Sequence, residues 1–140
     1  RGRRQAPETG RWLAQGVGPI DRAVVSPAAR ARGTWDLVAA ELPVPPEVSV
    51  DERAYAATGA ELLRVLSELP EQTRTVVLVG HNPGLEELAE QLTGEWVRLP
   101  TSAVAVVAVP GPWADLPTTG ATLQAAGRPP AGPVSGTPQG

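Results

Sequence analysis

The sequence contains no cysteine, methionine, lysine or phenylalanine, and it has a single histidine. The absence of cysteine excludes a disulfide framework, a thiolate nucleophile and zinc sites built on cysteine. No stretch approaches the ~20 apolar residues that a membrane-spanning helix requires. The opening residues are basic and no apolar region follows them, unlike a secretory signal peptide. We therefore expect a cytoplasmic protein with no membrane partner.

The charge of the chain argues against a nucleic-acid partner. Its formal net charge is −3 at pH 7, whereas nucleic-acid-binding domains are usually basic. All 12 basic residues are arginine. Any contact with an anion must therefore use a guanidinium group, which binds phosphate oxygens in a bidentate way.

Apolar runs alternate along the chain with segments of helical periodicity. Strands are predicted at residues 23–25, 75–79 and 103–109, with weaker extended segments at 48–50 and 121–125. Helices are predicted at 3–17, 27–42, 61–69 and 83–92. This alternation indicates a layered α/β fold with a mostly parallel sheet. We expect one domain at 1–126, followed by a disordered, Gly- and Pro-rich tail at 127–140.

Two strand-to-helix junctions share one local pattern: an apolar strand, then Ser or Asn, then Pro, then a helix. The first is Ser26-Pro27 and the second is Asn82-Pro83. Parallel sheets bind ligands at the carboxyl ends of their strands, and helix N-termini attract anions. Arg30 lies in the first turns of one helix, and His81 lies at the strand end before the other. We predict that Arg30 and His81 converge on one anion pocket.

Structural roles stay open for both residues at this point. A lone histidine at a strand end is often held only by a backbone carbonyl, and an arginine in a first helical turn is usually solvated. The segment at 26–34 has no Gly-rich phosphate cradle, which excludes a P-loop and a dinucleotide-binding fingerprint.

Other polar and aromatic residues have similarly open roles. Asp51 and Glu52 could include a general acid, although adjacent surface carboxylates usually face solvent. Tyr55 is expected to have a packing role rather than a chemical one. Glu86 and Glu87 lie in a first helical turn, where they favour the helix dipole without a further role.

Three segments resemble, in order, motifs of the histidine phosphatase superfamily, which has the phosphoglycerate mutase-like fold. Gly2-Arg3-Arg4-Gln5-Ala6 resembles the end of its Leu-Thr-x-x-Gly-x-x-Gln-Ala helix start. Ser26-Pro27-Ala28-Ala29-Arg30-Ala31-x-x-Thr34 resembles its Ser-x-x-x-Arg-Ala-x-x-Thr motif. Val79-Gly80-His81-Asn82-Pro83 resembles the segment that carries its second histidine. The SixA-type phosphohistidine phosphatase branch is the most similar, over about residues 1–126.

The resemblance implies a three-layer α/β/α fold and a phosphoryl-binding site. Arg30 would bind the phosphoryl group and His81 would stabilise its charge. Ser26 and Asn82, at the same two junctions, are further candidates for phosphate binding, and Glu52 lies near the proton donor of many relatives. Neither a metal nor another cofactor is implied. The partner would be a phosphorylated small molecule or a phosphohistidine protein.

One motif of the family has no counterpart here. In relatives a first strand ends in Arg-His-Gly, and its histidine is the nucleophile that becomes transiently phosphorylated. Because Arg30 and His81 are retained, we expect the present chain to be a truncated phosphatase that lacks an interior strand. Because the nucleophilic histidine is missing, we expect it to be inactive by itself. Two alternatives stay open: a degenerate relative that binds phosphorylated ligands without turnover, and a non-catalytic interaction module that uses a sheet edge.

Overall fold

The computed structural model describes residues 2–116, 120–127 and 129–130, with side chains from Gln5 onward. Four α-helices lie within these residues: α1 Gly2–Gly16, α2 Ala29–Ala39, α3 Gly59–Ser67 and α4 Gly84–Thr93. The strands are β1 Arg22–Val25, β2 Glu47–Val50, β3 Val76–Val79, β4 Val104–Ala108 and β5 Thr122–Gly127. None of the described helices is long and apolar enough to cross a membrane. Most of the predicted tail, at 128 and 131–140, lies outside the described residues.

The described strands form two separate sheets. β1 lies between β2 and β3 in a parallel sheet, in which Val25 is aligned with both Val50 and Val79. β4 and β5 form an antiparallel pair with an irregularity between Val106 and Val107. The mostly parallel arrangement predicted from the sequence is therefore confirmed for three strands. The last two pair antiparallel, and the described residues between them contain only the short 3-10 turn Trp113–Asp115, whereas a parallel pair usually needs a crossover helix.

Side chains that alternate along β3 contact two different apolar clusters. Val77 and Val79 pack against a cluster formed mainly by α1, α2 and β1, whereas Val76 and Leu78 pack against one formed mainly by α3 and α4. Alternate residues of a strand point to opposite faces of its sheet. The sheet therefore lies between two helix layers, which confirms the three-layer α/β/α fold. This double burial also explains why the run at 76–79 is apolar without interruption.

A cavity separates the two sheets. It has a volume of about 610 Å³ and is lined by β3, by β4 and by helices of both layers, including Leu13 of α1 and Leu88 of α4. Within the described residues, β3 pairs only with β1, and β4 pairs only with β5. The side chains of both strands are only half-buried, although all are apolar. Two unpaired strand edges thus face one cavity between two helix layers.

Contacts at the two ends of this cavity show the direction of β4. Leu99, shortly before β4, accepts a hydrogen bond from Asn82 at the carboxyl end of β3. Trp113, shortly after β4, donates from Nε1 to the carbonyl of Thr73 at 2.8 Å, before the amino end of β3. β4 therefore runs opposite to β3 across the cavity.

Local hydrogen bonding moves the helix starts from their predicted positions. α2 begins after Ala28 rather than directly after Ser26, whose hydroxyl accepts from the Ala28 N–H at 3.3 Å. α3 begins after Thr58, which forms a capping box with Glu61. Each partner of that box binds a backbone N–H of the other, so the helix starts two residues before the predicted position. α4 begins after Pro83, which follows a cis peptide bond.

Candidate functional site

The carboxyl ends of the three parallel strands meet at one edge of the sheet. Ser26 follows β1 and donates its N–H to the carbonyl of Val79 at 2.9 Å. Asp51 follows β2 and donates its N–H to the carbonyl of Val25 at 3.0 Å. His81 follows β3 after one glycine. The parallel register therefore brings both predicted junctions, and the end of β2, to the edge where such sheets bind ligands.

Ser26 and His81 join the two junctions directly. The Ser26 hydroxyl oxygen lies 2.8 Å from His81 Nε2 and also accepts from the Ala28 N–H. Ser26 is fully buried, and His81 is half-buried. Because its oxygen is already bound on two sides, Ser26 holds the imidazole in place. Its predicted contact with phosphate stays a prediction.

Replacing Ser26 by alanine is expected to lower the free energy of unfolding by about 1–3 kcal/mol, because His81 Nε2 and the half-buried Ala28 N–H would lose their partner. Urea denaturation measures this change. Ser67→Ala is the control, since that hydroxyl bonds only to the carbonyl of Arg64 at the surface, and it should change stability by less than about 0.5 kcal/mol. If both substitutions change the free energy of unfolding equally, the Ser26–His81 contact does not stabilise the fold more than a surface hydrogen bond does.

Arg30 lies in the first turn of α2, at the junction that Ser26 begins. Its side chain is exposed, and no hydrogen bond or ion pair of Arg30 occurs among the described residues. By contrast, the guanidinium of Arg22 binds Glu47 at 2.9 Å, and that of Arg53 binds two carboxylates. Arg30 is thus an exposed cation in the first turn of the helix that follows Ser26. The predicted convergence of its side chain with His81 stays a prediction.

Asn82 and Glu86 bind the backbone of one distant residue. The Asn82 side-chain amide donates to the carbonyl of Leu99, and the Leu99 N–H donates to Glu86 Oε2 at 2.7 Å. The backbone N–H and carbonyl of the buried Leu99 are therefore both hydrogen-bonded. The expectation that Glu86 only favours the helix dipole is wrong, because it anchors the segment before β4. The Asn82 side-chain amide is already bound to the Leu99 carbonyl. Its predicted binding of phosphate stays a prediction.

Charged side chains at the end of β2 neutralise one another. Asp51 accepts from the backbone N–H and from both Nε and a terminal nitrogen of Arg53. The hydrogen bonds from the Arg53 side chain lower the pKa of Asp51, and Asp51 and Glu68 raise the pKa of Arg53. Glu52 is exposed on the short 3-10 turn Glu52–Ala54. Its role as a proton donor stays a prediction.

Tyr55 lies beside His81 and is not part of the core. Its ring centroid is 6.1 Å from that of His81, and the planes are inclined by 75° in an edge-to-face contact. Tyr55 is 62% exposed, and its predicted packing role stays a prediction. An exposed aromatic ring thus borders the candidate site.

Two buried polar atoms lie near the start of β4. The hydroxyl oxygen of Ser102 and Oε1 of Gln5 are buried without a hydrogen-bond partner among the described residues. Thr9, one turn after Gln5 on α1, donates to the Ser102 carbonyl at 2.8 Å, which brings α1 and this segment together. Ser102 has a φ of 63°. Within the described part of the chain, no three acidic or imidazole groups cluster as metal ligands would.

Comparisons with known proteins agree with this architecture. The model of the histidine phosphatase superfamily (branch 1) matches residues 1–57, which include Ser26 and Arg30. An uncharacterised protein of Mycobacterium leprae (strain TN) is 31% identical over 135 residues, which cover 89% of this chain and 81% of that protein. A protein of Mycobacterium tuberculosis (strain ATCC 25618 / H37Rv), also uncharacterised, is 30% identical over 127 residues, or 83% and 78% of the two chains.

Two solved structures share the fold. A candidate phosphohistidine phosphatase SixA from Nakamurella multipartitia matches with a TM-score of 0.82 and 26% identity, over 93% of this chain and 82% of that one. The protein histidine phosphatase SixA complexed with tungstate matches with a TM-score of 0.76 and 23% identity, over 89% and 78% of the two chains.

Proposed function

Because the chain belongs to the histidine phosphatase superfamily, with a structure similar to SixA proteins, we propose that its site binds a phosphoryl group for hydrolysis. The observation that carries this proposal is the Ser26–His81 contact of 2.8 Å. It joins two strand-to-helix junctions, and Arg30 follows one of them with its guanidinium unpaired among the described residues.

The proposed contacts with the phosphoryl group follow from the chemistry of these side chains. Arg30 supplies a planar set of donors that matches two phosphate oxygens. His81, held by Ser26 through Nε2, would present Nδ1 to the site and donate a hydrogen bond from its N–H to a third phosphoryl oxygen. The N-termini of α2 and α4 add partial positive charge. Together these groups would stabilise the negative charge that the transferring phosphoryl group carries.

Covalent transfer would need a second imidazole. A ring nitrogen of that second imidazole would form a bond to phosphorus as the bond to the leaving group breaks. The leaving group would take a proton from a general acid, for which Glu52 is the candidate, or from water. Water would then attack phosphorus, release inorganic phosphate and restore the imidazole. His81 is the single histidine of these 140 residues and cannot both attack phosphorus and donate to its oxygens. We propose that the nucleophile belongs to a further strand that ends in Arg-His.

The cavity between β3 and β4 supports this location for the further strand. Both strand edges that face it are unpaired among the described residues, and helices of both layers line it. A strand placed there would pair with both edges, which buried backbone groups require. Its carboxyl end would lie next to His81 if it ran parallel to β3. Hydrogen-bond donors of that strand could also bind the buried hydroxyl oxygen of Ser102 and Oε1 of Gln5, which lack partners among the described residues.

The proposed substrates are proteins that carry phosphohistidine, since the similar solved structures are SixA proteins. Phosphomonoesters of small molecules are the alternative substrate class. The second candidate function is binding of a phosphorylated ligand without turnover. The single histidine of the chain favours that alternative.

Calorimetric titration with inorganic phosphate or tungstate tests the binding site. Arg30→Ala is expected to weaken binding about 10- to 100-fold, because a charge-assisted hydrogen-bonding group is lost. Arg32→Ala is the matched control, since Arg32 is also exposed on α2 but lies two residues further, on another face. If both variants bind equally well, Arg30 does not contact the anion. If the unchanged chain binds neither anion, the proposed site is wrong.

A further inference from the structure

The segment that carries Tyr55 is held rigidly although the ring itself is exposed. Ala54 and Ala57, on either side, are buried in the cluster formed with α3 and α4. Between them, Ala56 has a φ of 51°, in the left-handed region that residues other than Gly, Asn and Asp seldom adopt. This turn places Tyr55 outward between two buried alanines. Backbone strain at a non-glycine residue persists only where the surrounding packing enforces it.

Close packing joins this segment to the helix that follows His81. A Cβ atom on Gly84, the first residue of α4, would lie 2.2 Å from the carbonyl oxygen of Ala57. The glycine therefore permits direct contact between the Tyr55 segment and α4. At its other end the segment is fixed by the ion pairs of Arg53 with Asp51 and Glu68. The position of Tyr55 relative to His81 is thus set from both sides.

We propose that Tyr55 is a specificity-determining residue whose ring contacts a flat aromatic group attached to the bound phosphoryl group. This inference rests on the proposed phosphoryl site. Aromatic rings interact best with centroids 4.5–7 Å apart, as those of Tyr55 and His81 are. A phenyl or imidazolyl ring bonded directly to a phosphorus atom held at His81 contacts Tyr55 when it lies on the side of His81 that Tyr55 borders. An alkyl substituent would gain no such aromatic contact, so compounds with a flat ring bonded directly to phosphorus are the preferred class.

Proton NMR of the tag-free chain tests this inference, because His81 is its only histidine. The shift of its Hε1 signal is followed in titrations with inorganic phosphate, methylphosphonate and phenylphosphonate. We expect phenylphosphonate to bind about 2- to 10-fold more tightly than methylphosphonate. Tyr55→Leu should remove this preference, whereas Tyr55→Phe, which keeps the ring, should retain it. Phosphate should bind all three chains within about twofold, since the exposed ring is not part of the anion contact.

The three ligands separate failure of this inference from failure of the proposed site. If phosphate leaves the His81 signal unchanged, the phosphoryl site itself is wrong. If phosphate binds but Tyr55→Leu keeps the full preference for phenylphosphonate, Tyr55 does not contact the substituent. A loss of preference in Tyr55→Phe as well as in Tyr55→Leu would assign the effect to the hydroxyl and would also overturn the proposed ring contact.

Discussion

A chain extended at its amino end by an apolar strand that ends in Arg-His is expected to hydrolyse an aryl phosphate, whereas the 140-residue chain is not. The strand would occupy the cavity between β3 and β4 and place an imidazole beside His81. The rate gain should reach several orders of magnitude, since removal of the nucleophile in another covalent enzyme costs about 10⁶ in kcat. Release of p-nitrophenol from its phosphate ester measures the activity.

The same extension is expected to raise the melting temperature. Completing the burial of four half-buried side chains of β3 and β4, each at about half the value for a fully exposed side chain, would contribute about 3–6 kcal/mol. For a domain of this size such a gain corresponds to an increase of about 10 °C or more. Two backbone edges would also gain hydrogen-bond partners. Without the extension, these edges and side chains favour self-association, which light scattering at increasing protein concentration would detect.

A second extension, identical but ending in Arg-Ala, separates folding from chemistry. It should raise the melting temperature as much as the first extension and leave the chain without activity. If the 140-residue chain melts as cooperatively and as high as both extended chains, the cavity does not accept a strand. Equal hydrolysis by the Arg-His and Arg-Ala chains would show that the added histidine is not the nucleophile.

The features that the sequence predicts well depend on neighbouring residues. The run at 76–79 is continuously apolar because the strand is buried from both sides, so composition alone identifies it. The pattern of strand, Ser or Asn, Pro and helix marks both junctions of the site. Since parallel strands end at the same edge of a sheet, the predicted fold places Ser26 and His81 on one edge. That β1 and β3 are neighbours, which brings the two side chains into contact, is seen only in the structure.

The features that the sequence does not predict depend on contacts between distant residues. Leu99 is 17 residues from Asn82 and 13 from Glu86, and no local pattern relates these three residues. The exposure of Tyr55 depends on a left-handed conformation at Ala56, where neither Gly nor Asn signals a turn. The Thr58–Glu61 capping box, by contrast, is a recognisable signal that could have corrected the predicted start of α3.

Gly84→Ala is expected to reduce the free energy of unfolding by about 3 kcal/mol, at the upper end of the usual range for overpacking. The new Cβ atom would lie 2.2 Å from the Ala57 carbonyl oxygen and 3.4 Å from Leu62 Cδ1. A backbone carbonyl cannot rotate away as a flexible side chain can. Either α4 or the Tyr55 segment must therefore shift, and the contact between Tyr55 and His81 should be lost with it. Urea denaturation and the NMR signal of His81 measure these two effects.

Gly33→Ala is a control that is expected to change the free energy of unfolding in the opposite direction. Gly33 lies inside α2, and apart from its chain neighbours and its own helix backbone no atom of the described residues lies within 4 Å of the Cβ that alanine would add. Alanine favours the helix over glycine by about 0.5–1 kcal/mol, so this variant should be more stable than the unchanged chain. The His81 signal should stay where it is. If the free energy of unfolding of Gly84→Ala is within about 0.5 kcal/mol of that of the unchanged chain, α4 and the Tyr55 segment are not in direct contact. The fixed placement of Tyr55 beside His81 would then be wrong.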